Sequence, residues 1–226
     1  MITSGSNAKL QLVRKLERRK YRDELGLFAC EGEDLVAAGR EAGLEPVELL
    51  VAGENVLPEL LAAVSALPHP ARTIGVFRRD DLPRGEREAC LALWHVADPG
   101  NVGTLLRAAD AFGAAVAVSA GRADPLGGKA LRASAGAVFR VPLLGFDEAP
   151  GRRIALVAHG GRPLADVDLA GPVSFVLGAE REGLPEEVLR ACDAVATIPQ
   201  AEHADSLNVA AAGAIALYES VRRSLP

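Results

Sequence analysis

Hydrophobic positions in the first third of the chain change their spacing several times. Leu10, Val13 and Leu16 recur at helical intervals among basic residues, which predicts an amphipathic helix over residues 7–24. Short apolar runs then alternate with stretches of helical periodicity. We expect strands at residues 25–32, 46–53 and 72–77, and helices at residues 34–43 and 58–67. The polar stretch 80–88 contains proline and glycine and is a linker candidate, so residues 1–85 are predicted to form a small α/β domain.

A second alternation of strands and helices fills the rest of the chain. We expect its strands at residues 90–98, 114–121, 139–146, 153–160, 173–180 and 194–199. We expect its helices at residues 102–112, 128–137, 185–191 and 206–223. Strands that alternate with helices are typical of a parallel sheet with crossover helices. The predicted fold class is therefore α/β, with a larger second domain over residues 90–226.

Charge is distributed unevenly. The net charge of −5 is not typical of a general nucleic-acid binder. Residues 1–22 nevertheless carry seven basic residues and one acidic residue, a net charge of +6. The basic residues are Lys9, Arg14, Lys15, Arg18, Arg19, Lys20 and Arg22. This segment is either the solvated face of a helix or a local phosphate-binding patch, and the sequence leaves both interpretations open.

Several classes of site lack their sequence patterns. The scattered Cys30, Cys90 and Cys192 argue against a disulfide framework and against zinc, and they fit a reducing cytoplasm. The histidines lack the spacing of metal ligands, so no metal site is predicted. The patterns of a dinucleotide site, a P-loop and a serine-hydrolase elbow are missing as well. Without a membrane-length apolar run or a signal-peptide pattern, we expect a cytoplasmic protein that does not contact a membrane.

The first motif, DPGNVGTLLRAADAFGA, spans Asp98–Ala114. A predicted strand ends at Asp98 and a helix begins near Asn101, with Arg107 less than two helical turns further on. The motif is either a capped helix with a surface arginine or a ligand site. The second interpretation rests on its position at the carboxyl end of a parallel strand, where α/β proteins bind ligands.

The second motif, FVLGAEREGLPEEV, spans Phe175–Val188. A buried strand is expected to run into Gly178, and Gly183 is expected to open a helix. Glu180 lies in the loop between these two glycines. Because a glycine-bounded loop after a strand is common, this motif alone does not identify a function.

The third motif, TIPQAEHADSLNVAAAGAIALYE, spans Thr197–Glu219. A helix is expected to start at Ser206, whose hydroxyl can cap it. Asn208 would then lie just inside the helix, where asparagine is unfavourable, and this favours a functional role. The small residues of 210–216 leave room for another backbone to pass closely.

Taken in order, the three motifs resemble the signature motifs of the SpoU (TrmH) RNA methyltransferases. Lys129–Leu143 also resembles the family, and the likeness covers essentially all of residues 90–223. FACEGEDLV (28–36) resembles the small L30e-like RNA-binding domain that often precedes the catalytic domain. The resemblance implies a SPOUT fold with a deep trefoil knot, S-adenosylmethionine as cofactor, and methylation of a ribose 2′-hydroxyl in rRNA or tRNA. It also implies a homodimer with an active site built across the interface.

The resemblance further implies roles for single residues. The implied cofactor-binding residues are Gly178, Glu180, Gly183, Ile198, Leu207 and Asn208. The implied catalytic residues are Asn101, Arg107, Glu180, Ser206 and Asn208. The candidate RNA-binding residues are Lys9, Arg14, Lys15, Arg18, Arg19, Arg22 and Arg132. The chain departs from the family pattern at Ala179, Arg181 and Gln200, where Asn, Gly and Met are usual, and residues 146–154 are short for the usual helix.

Two questions stay open at this point. Arg107 is either the general base, as the family proposal has it, or a cation that binds phosphate and aligns the hydroxyl. A pKa of about 13 leaves roughly one arginine in a million neutral at pH 7, which costs about 8 kcal/mol. The alternatives to a ribose methyltransferase are a non-catalytic RNA-binding protein that keeps the fold and a SPOUT enzyme that methylates a base.

Overall fold

The computed structural model describes residues 1–122 and 124–224. The chain forms two compact units, and the first is built from two separate stretches. The first unit comprises Met1–Leu82 and Asp124–Arg140, and the second unit comprises Pro83–Ala123 and Val141–Pro226. Residues 124–140 therefore pack with the first unit, whereas the sequence pattern assigns them to the domain over residues 90–226.

A three-stranded antiparallel sheet forms the centre of the first unit. Its strands are β1 (Leu27–Glu31), β2 (Glu48–Val51) and β3 (Thr73–Arg78), in the order β1–β3–β2. The helices around it are α1 (Ala8–Leu16), α2 (Arg19–Leu25), α3 (Glu33–Glu41) and α4 (Pro58–Ala62). The apolar stripe of α1 packs into one core with Leu50 and Ile74, as its periodicity predicts.

The basic N-terminal segment is broken into two helices. Arg18, between α1 and α2, has extended backbone with φ −95° and ψ 128°. The buried guanidinium of Arg22 donates hydrogen bonds to the carbonyl oxygens of Leu16 and Glu17. These bonds satisfy carbonyls at the end of α1 that a longer helix would have bonded internally. The prediction of one helix over residues 7–24 is wrong for this reason.

A seven-stranded parallel sheet forms the centre of the second unit. Its strands are β4 (Ala89–Leu93), β5 (Ala115–Val118), β6 (Leu143–Gly145), β7 (Arg152–Val157), β8 (Arg162–Pro163), β9 (Val173–Leu177) and β10 (Ala194–Thr197). They lie in the order β6–β5–β4–β9–β7–β10–β8, and every pairing is parallel. The helices of this unit are α5 (Pro99–Ala111), α7 (Glu186–Arg190) and α8 (Val209–Ser224), whereas α6 (Gly128–Ser134) belongs to the first unit. The α/β class and the parallel sheet are confirmed, and the knot stays a prediction.

The inserted segment 124–140 completes the aromatic core of the first unit. After α6, the left-handed residues Ala135 and Gly136 lead into a single 3-10 turn that ends at Phe139. The centroid of the Phe139 ring lies 5.0 Å from that of Phe77 and 6.1 Å from that of Phe28. The expected strand over residues 139–146 is wrong at its start, because Phe139 is a core residue of the first unit and β6 begins only at Leu143.

In the second unit, α5 and α8 pack together at Gly213. A Cβ atom on Gly213 would lie 2.4 Å from Leu105 Cδ2 and 3.0 Å from Leu177 Cδ1. Glycine therefore lets α8 approach both α5 and the end of β9. This contact joins the helix of the third motif to the helix of the first motif and to the strand of the second.

Candidate active site

A cavity of about 540 Å³ opens at the carboxyl ends of β7, β9 and β10. This is the edge of a parallel sheet at which α/β proteins bind ligands, and the volume suits a cofactor-sized molecule. The cavity walls come from the ends of these strands, the loop after β9, and the segment that leads into α8. All six residues with an implied cofactor contact line this cavity: Gly178, Glu180, Gly183, Ile198, Leu207 and Asn208.

The loop after β9 is shaped by its two glycines. A Cβ atom on Gly178 would lie 2.3 Å from the carbonyl carbon of Gly183, so no side chain fits there. Gly183 has φ +68°, a conformation that side chains disfavour. Paired hydrogen bonds of 3.2 and 2.9 Å join Ala179 and Gly183 across the loop. The expectation that Gly183 opens a helix is wrong, because Gly183 closes this loop and α7 begins only at Glu186.

Asn208, rather than Ser206, caps α8. Its Oδ1 atom accepts hydrogen bonds from the backbone N–H groups of Ala210 at 2.8 Å and Ala211 at 3.3 Å. The expected helix start at Ser206 is thus wrong by three residues, and Asn208 is not an unfavourable interior residue. Ser206 stays exposed on the cavity wall, where its hydroxyl is available to a ligand.

A chain of side-chain hydrogen bonds links the three motifs. The Asn208 amide donates to Asn101 Oδ1 at 3.0 Å, and the Asn101 amide donates to Glu180 Oε1 at 3.0 Å. Glu180 in turn accepts the backbone N–H groups of Ala97 at 3.2 Å and Asp98 at 3.1 Å. The orientation of each amide follows from these bonds, because Asn208 Oδ1 must face the helix and leave its nitrogen for Asn101. The three polar residues therefore form one network beside the cavity.

The network keeps Glu180 ionised. Partial burial raises the pKa of Glu180, but the hydrogen bonds from Asn101 and from the backbone N–H groups of Glu180, Asp98 and Ala97 outweigh it. The pKa of this carboxyl consequently lies below its ordinary value. A carboxylate with a lowered pKa and several bound donors is a weak proton acceptor. Glu180 is therefore suited to hold the loop after β9 against the segment between β4 and α5, rather than to remove a proton.

Arg107 lies apart from this network in the single chain. It is exposed on α5 and does not line the cavity. Its side chain has no hydrogen-bond or ion-pair partner among the described residues. The structure thus brings Asn101, Glu180, Ser206 and Asn208 together, and it does not bring Arg107 to them.

Gln200 is a cavity residue that the sequence patterns do not assign to the site. Its Oε1 atom is buried and has no hydrogen-bond partner among the described residues. A buried carbonyl oxygen without a donor is destabilising by about 1–3 kcal/mol. The departure from the family pattern at this position was the available signal, because an amide in place of methionine adds an acceptor to the cavity wall.

The candidate RNA-binding residues differ in their availability. Arg22 is wrongly placed in this set, because its side chain is buried and forms an ion pair with Asp124 at 2.7 Å. Lys9 pairs with Glu48 at 2.6 Å, and Arg19 pairs with Asp23 at 3.5 Å. The remaining candidates are exposed and form no ion pair with any residue that the structure describes: Arg14, Lys15, Arg18 and Arg132.

Two further properties concern the described part of the chain as a whole. Within residues 1–122 and 124–224, no group of three or more His, Cys, Asp and Glu side chains is arranged to hold a metal ion. None of the helices in these ranges has the length and apolar character that crossing a bilayer requires.

Comparison with known families divides the chain into two matched regions. A model described as the SpoU rRNA Methylase family matches residues 88–218, and one described as an MRM3-like substrate binding domain matches residues 7–78. A Bacillus subtilis protein named 23S rRNA (guanosine(2553)-2'-O)-methyltransferase RlmP is 30% identical, over 96% of this chain and 97% of its own. A Streptomyces viridochromogenes 23S rRNA (uridine(2479)-2'-O)-methyltransferase is 32% identical, over 82% of this chain and 68% of its own.

Solved structures with the same fold include two complexes with AdoMet. An rRNA methyltransferase from Sinorhizobium meliloti is 30% identical with a TM-score of 0.85, covering 100% of this chain and 98% of its own. The SpoU methyltransferase AviRb from Streptomyces viridochromogenes is 26% identical with a TM-score of 0.85, covering 96% of this chain and 98% of its own.

Proposed function

Because this chain belongs to the SpoU rRNA methylase family, we propose that it transfers a methyl group from S-adenosylmethionine to a ribose 2′-hydroxyl of RNA. The observation that carries the proposal is the network of Asn101, Glu180 and Asn208 beside the cavity. Each of these residues comes from a different motif, so the network requires the fold and all three motifs at once. A protein that kept only the fold for binding RNA would not need this arrangement.

The volume and the lining of the cavity suit S-adenosylmethionine. Apolar walls from Leu177, Leu184 and Ile198 suit an adenine ring, and exposed polar groups lie beside them. The orphaned Oε1 of Gln200 is an acceptor for one of the N–H or O–H donors of the cofactor. When bound, S-adenosylmethionine supplies a methyl group made electrophilic by its sulfonium sulfur. The residues of the chain bind it, exclude water and fix the ribose hydroxyl in line with that group.

We infer that Arg107 acts as a cation on the RNA and not as the proton acceptor. Its guanidinium binds the phosphate next to the target ribose and stabilises the negative charge that develops on the ribose oxygen while the hydroxyl proton passes to solvent water. Transfer of the methyl group to that oxygen would leave the cofactor as the neutral thioether S-adenosylhomocysteine. Deprotonating an arginine at pH 7 costs about 8 kcal/mol, and this cost would add to the activation free energy of the methyl transfer. Arg107→Lys keeps the charge but loses the planar fork, so we expect a large loss of methyl transfer with an unchanged AdoMet affinity.

We further propose that two copies of the chain share each active site. In the single chain Arg107 lies outside the cavity lining, so a second copy is the natural source of this residue. The outer face of α5 and α8 supports a dimer contact, because Ile215 is 40% exposed and Tyr218 is 54% exposed. The Tyr218 ring packs edge-on against Phe112, the residue that directly follows α5, with centroids 6.4 Å apart, so one apolar surface joins α8 to the end of α5.

Subunit complementation tests this sharing. Arg107→Ala and Asn208→Asp damage different parts of the site, and each variant alone is expected to be inactive. A mixture of the two recovers about a quarter of the activity if the sites are shared, because half of the dimers are mixed and each mixed dimer has one intact site. A mixture that stays inactive while mixed dimers form contradicts a shared site.

The RNA class is proposed from the relatives, and the first unit is proposed to bind it. The curated relatives described above are named for 23S rRNA, which makes rRNA the favoured substrate over tRNA. The exposed Arg14, Lys15, Arg18 and Arg132 of the first unit would contact its phosphates. We place the reaction in the cytoplasm, where such RNA occurs and where the buried thiol of Cys90, with its pKa raised to about 11 by burial, stays reduced.

The test is methyl transfer from labelled S-adenosylmethionine to protein-free rRNA and to tRNA. Digestion of the RNA to nucleosides and mass spectrometry identify the modified group. We expect a 2′-O-methylnucleoside in rRNA. A methylated base would establish the base-methylating alternative, and RNA binding without either AdoMet binding or transfer would establish the non-catalytic alternative.

A further inference from the structure

An aromatic pair lies at the same edge of the sheet as the cavity. Trp94 and His95 directly follow the last residue of β4, where the sequence predicts that the strand continues to residue 98. The backbone N–H of Trp94 donates to the carbonyl oxygen of Leu177 at 2.8 Å. Leu177 ends β9, and both it and the next residue, Gly178, line the cavity. The pair therefore lies next to the cavity, at the carboxyl ends of β4 and β5.

The two rings form a parallel stack. Their planes differ by 4° and their centroids lie 4.7 Å apart. The Trp94 ring also packs edge-on against Phe146 with centroids 5.0 Å apart, which fixes the indole against the core of the second unit. Both residues are half-buried, so part of the pair stays open to solvent.

The backbone of His95 is strained to hold this arrangement. Its φ is +52°, in the left-handed region that favours glycine. The conformation is held by the His95 N–H, which donates to the hydroxyl oxygen of Ser119 at 2.8 Å. A glycine would take the same turn without strain, so the turn itself does not call for an imidazole ring. Strain of this kind concentrates at functional sites, where the surrounding structure maintains it.

We propose that the Trp94–His95 pair is the stacking platform for an unpaired base of the RNA, at or beside the nucleotide that is methylated. Proteins recognise single-stranded RNA by stacking its bases on aromatic side chains, and imidazole and indole rings both serve. A ribose whose hydroxyl must align with a methyl donor is held best when its own base, or the adjacent one, is fixed as well. The platform rests on the proposed function, because RNA must be the substrate for a base to reach it.

The chain offers a direct optical probe of the platform, because Trp94 is its only tryptophan. A nucleobase that stacks on the pair is expected to quench Trp94 fluorescence. The probes are guanosine 5′-monophosphate and ribose 5-phosphate, which share the sugar and phosphate and differ in the base. We expect quenching by the nucleotide and none by the sugar phosphate, after correction for absorbance with free tryptophan. Equal responses to the two compounds would overturn the proposal.

Substitution of His95 separates stacking from a structural role. His95→Gly keeps the turn and removes the ring, so we expect an unchanged or higher melting temperature, about tenfold weaker RNA binding and a higher KM for RNA. His95→Phe restores an aromatic ring and should recover most of this binding. AdoMet affinity, measured by calorimetry, should not change in either variant. If the wild type transfers methyl groups and His95→Gly binds RNA as tightly as the wild type, the stacking platform is refuted and the proposed function stands. If the wild type transfers no methyl group to RNA, the proposed function itself fails.

Discussion

Asn208 has two separable roles, and an aspartate substitution should isolate them. Its Oδ1 atom caps α8 and its Nδ2 atom donates to Asn101. The carboxylate of Asn208→Asp still accepts the N–H groups at the start of α8, but it has no donor for Asn101. Because Asp and Asn are equally good N-caps, the cap is kept, and we expect the free energy of unfolding to fall by only about 1 kcal/mol, for the lost hydrogen bond to Asn101. The network toward Glu180 is nevertheless broken.

Asn208→Ala removes both roles and provides the matched comparison. Loss of the cap costs about 1 kcal/mol, and loss of the hydrogen bond to Asn101 costs about 1 kcal/mol more. We therefore expect urea denaturation to show a free energy of unfolding lower by about 2 kcal/mol. Calorimetry should show that both variants bind AdoMet at least fivefold more weakly, which is about 1 kcal/mol.

Two results would refute this reasoning. An Asn208→Asp protein that binds AdoMet as tightly as the wild type would show that the network does not shape the cavity. An Asn208→Ala protein with wild-type stability would show that Asn208 does not cap α8. Because the first result concerns binding and the second concerns unfolding, one can occur without the other.

Four further substitutions test the site and the proposed RNA-binding surface. Gln200→Met removes the unpartnered oxygen, so without AdoMet we expect a free energy of unfolding about 1 kcal/mol higher than that of the wild type. The same variant should bind AdoMet about fivefold more weakly. Unchanged affinity would show that Gln200 does not contact the cofactor. Glu180 has a lowered pKa in the folded protein, so its stabilising contribution is present above its ordinary value of 4.5 and is lost as the pH falls below that. The stability difference between the wild type and Glu180→Gln should thus shrink on acidification, and a difference independent of pH would contradict the assignment. Arg22→Leu should lower the free energy of unfolding by about 3 kcal/mol, because Asp124 loses its ion-pair partner. Arg18→Ala should leave the free energy of unfolding unchanged but weaken RNA binding and make the binding constant less dependent on salt concentration. A loss of stability in Arg18→Ala, or a loss of RNA affinity without a loss of stability in Arg22→Leu, would contradict the assignment of Arg18 to the RNA-binding surface and of Arg22 to the core.

The parts that were predictable from sequence depend on local patterns. The parallel sheet follows from the alternation of apolar runs with helical stretches, because each strand and its crossover helix are close in sequence. The cavity could be located because the second and third motifs each follow a strand, and parallel strands end at one edge of the sheet. All six residues with an implied cofactor contact line it for this reason.

The parts that were not predictable depend on partners distant in sequence. Arg22 looks like a surface cation until Asp124, 102 residues away, is placed beside it. The sequence pattern assigns Phe139 to a strand because the apolar residues around it are equally compatible with a strand and with a buried turn. Asn208 could not be recognised as the cap, because Ser206 two residues earlier satisfies the same local rule. Arg107 lies outside the cavity lining, and its role in the site rests on the second copy proposed above.

The segment 124–140 has a consequence for the order in which the protein folds during synthesis. The first unit cannot close its aromatic core on Phe28 and Phe77 until Phe139 has left the ribosome. Translation at about 5–20 residues per second places that moment roughly 3–12 s after β3 is made, when β4 and β5 of the second unit already exist. The first unit therefore stays incomplete until a segment encoded within the methyltransferase region has been synthesised. For the same reason, a fragment that ends near residue 85 would expose part of this core. An exchange of the first unit between relatives must move both of its stretches together.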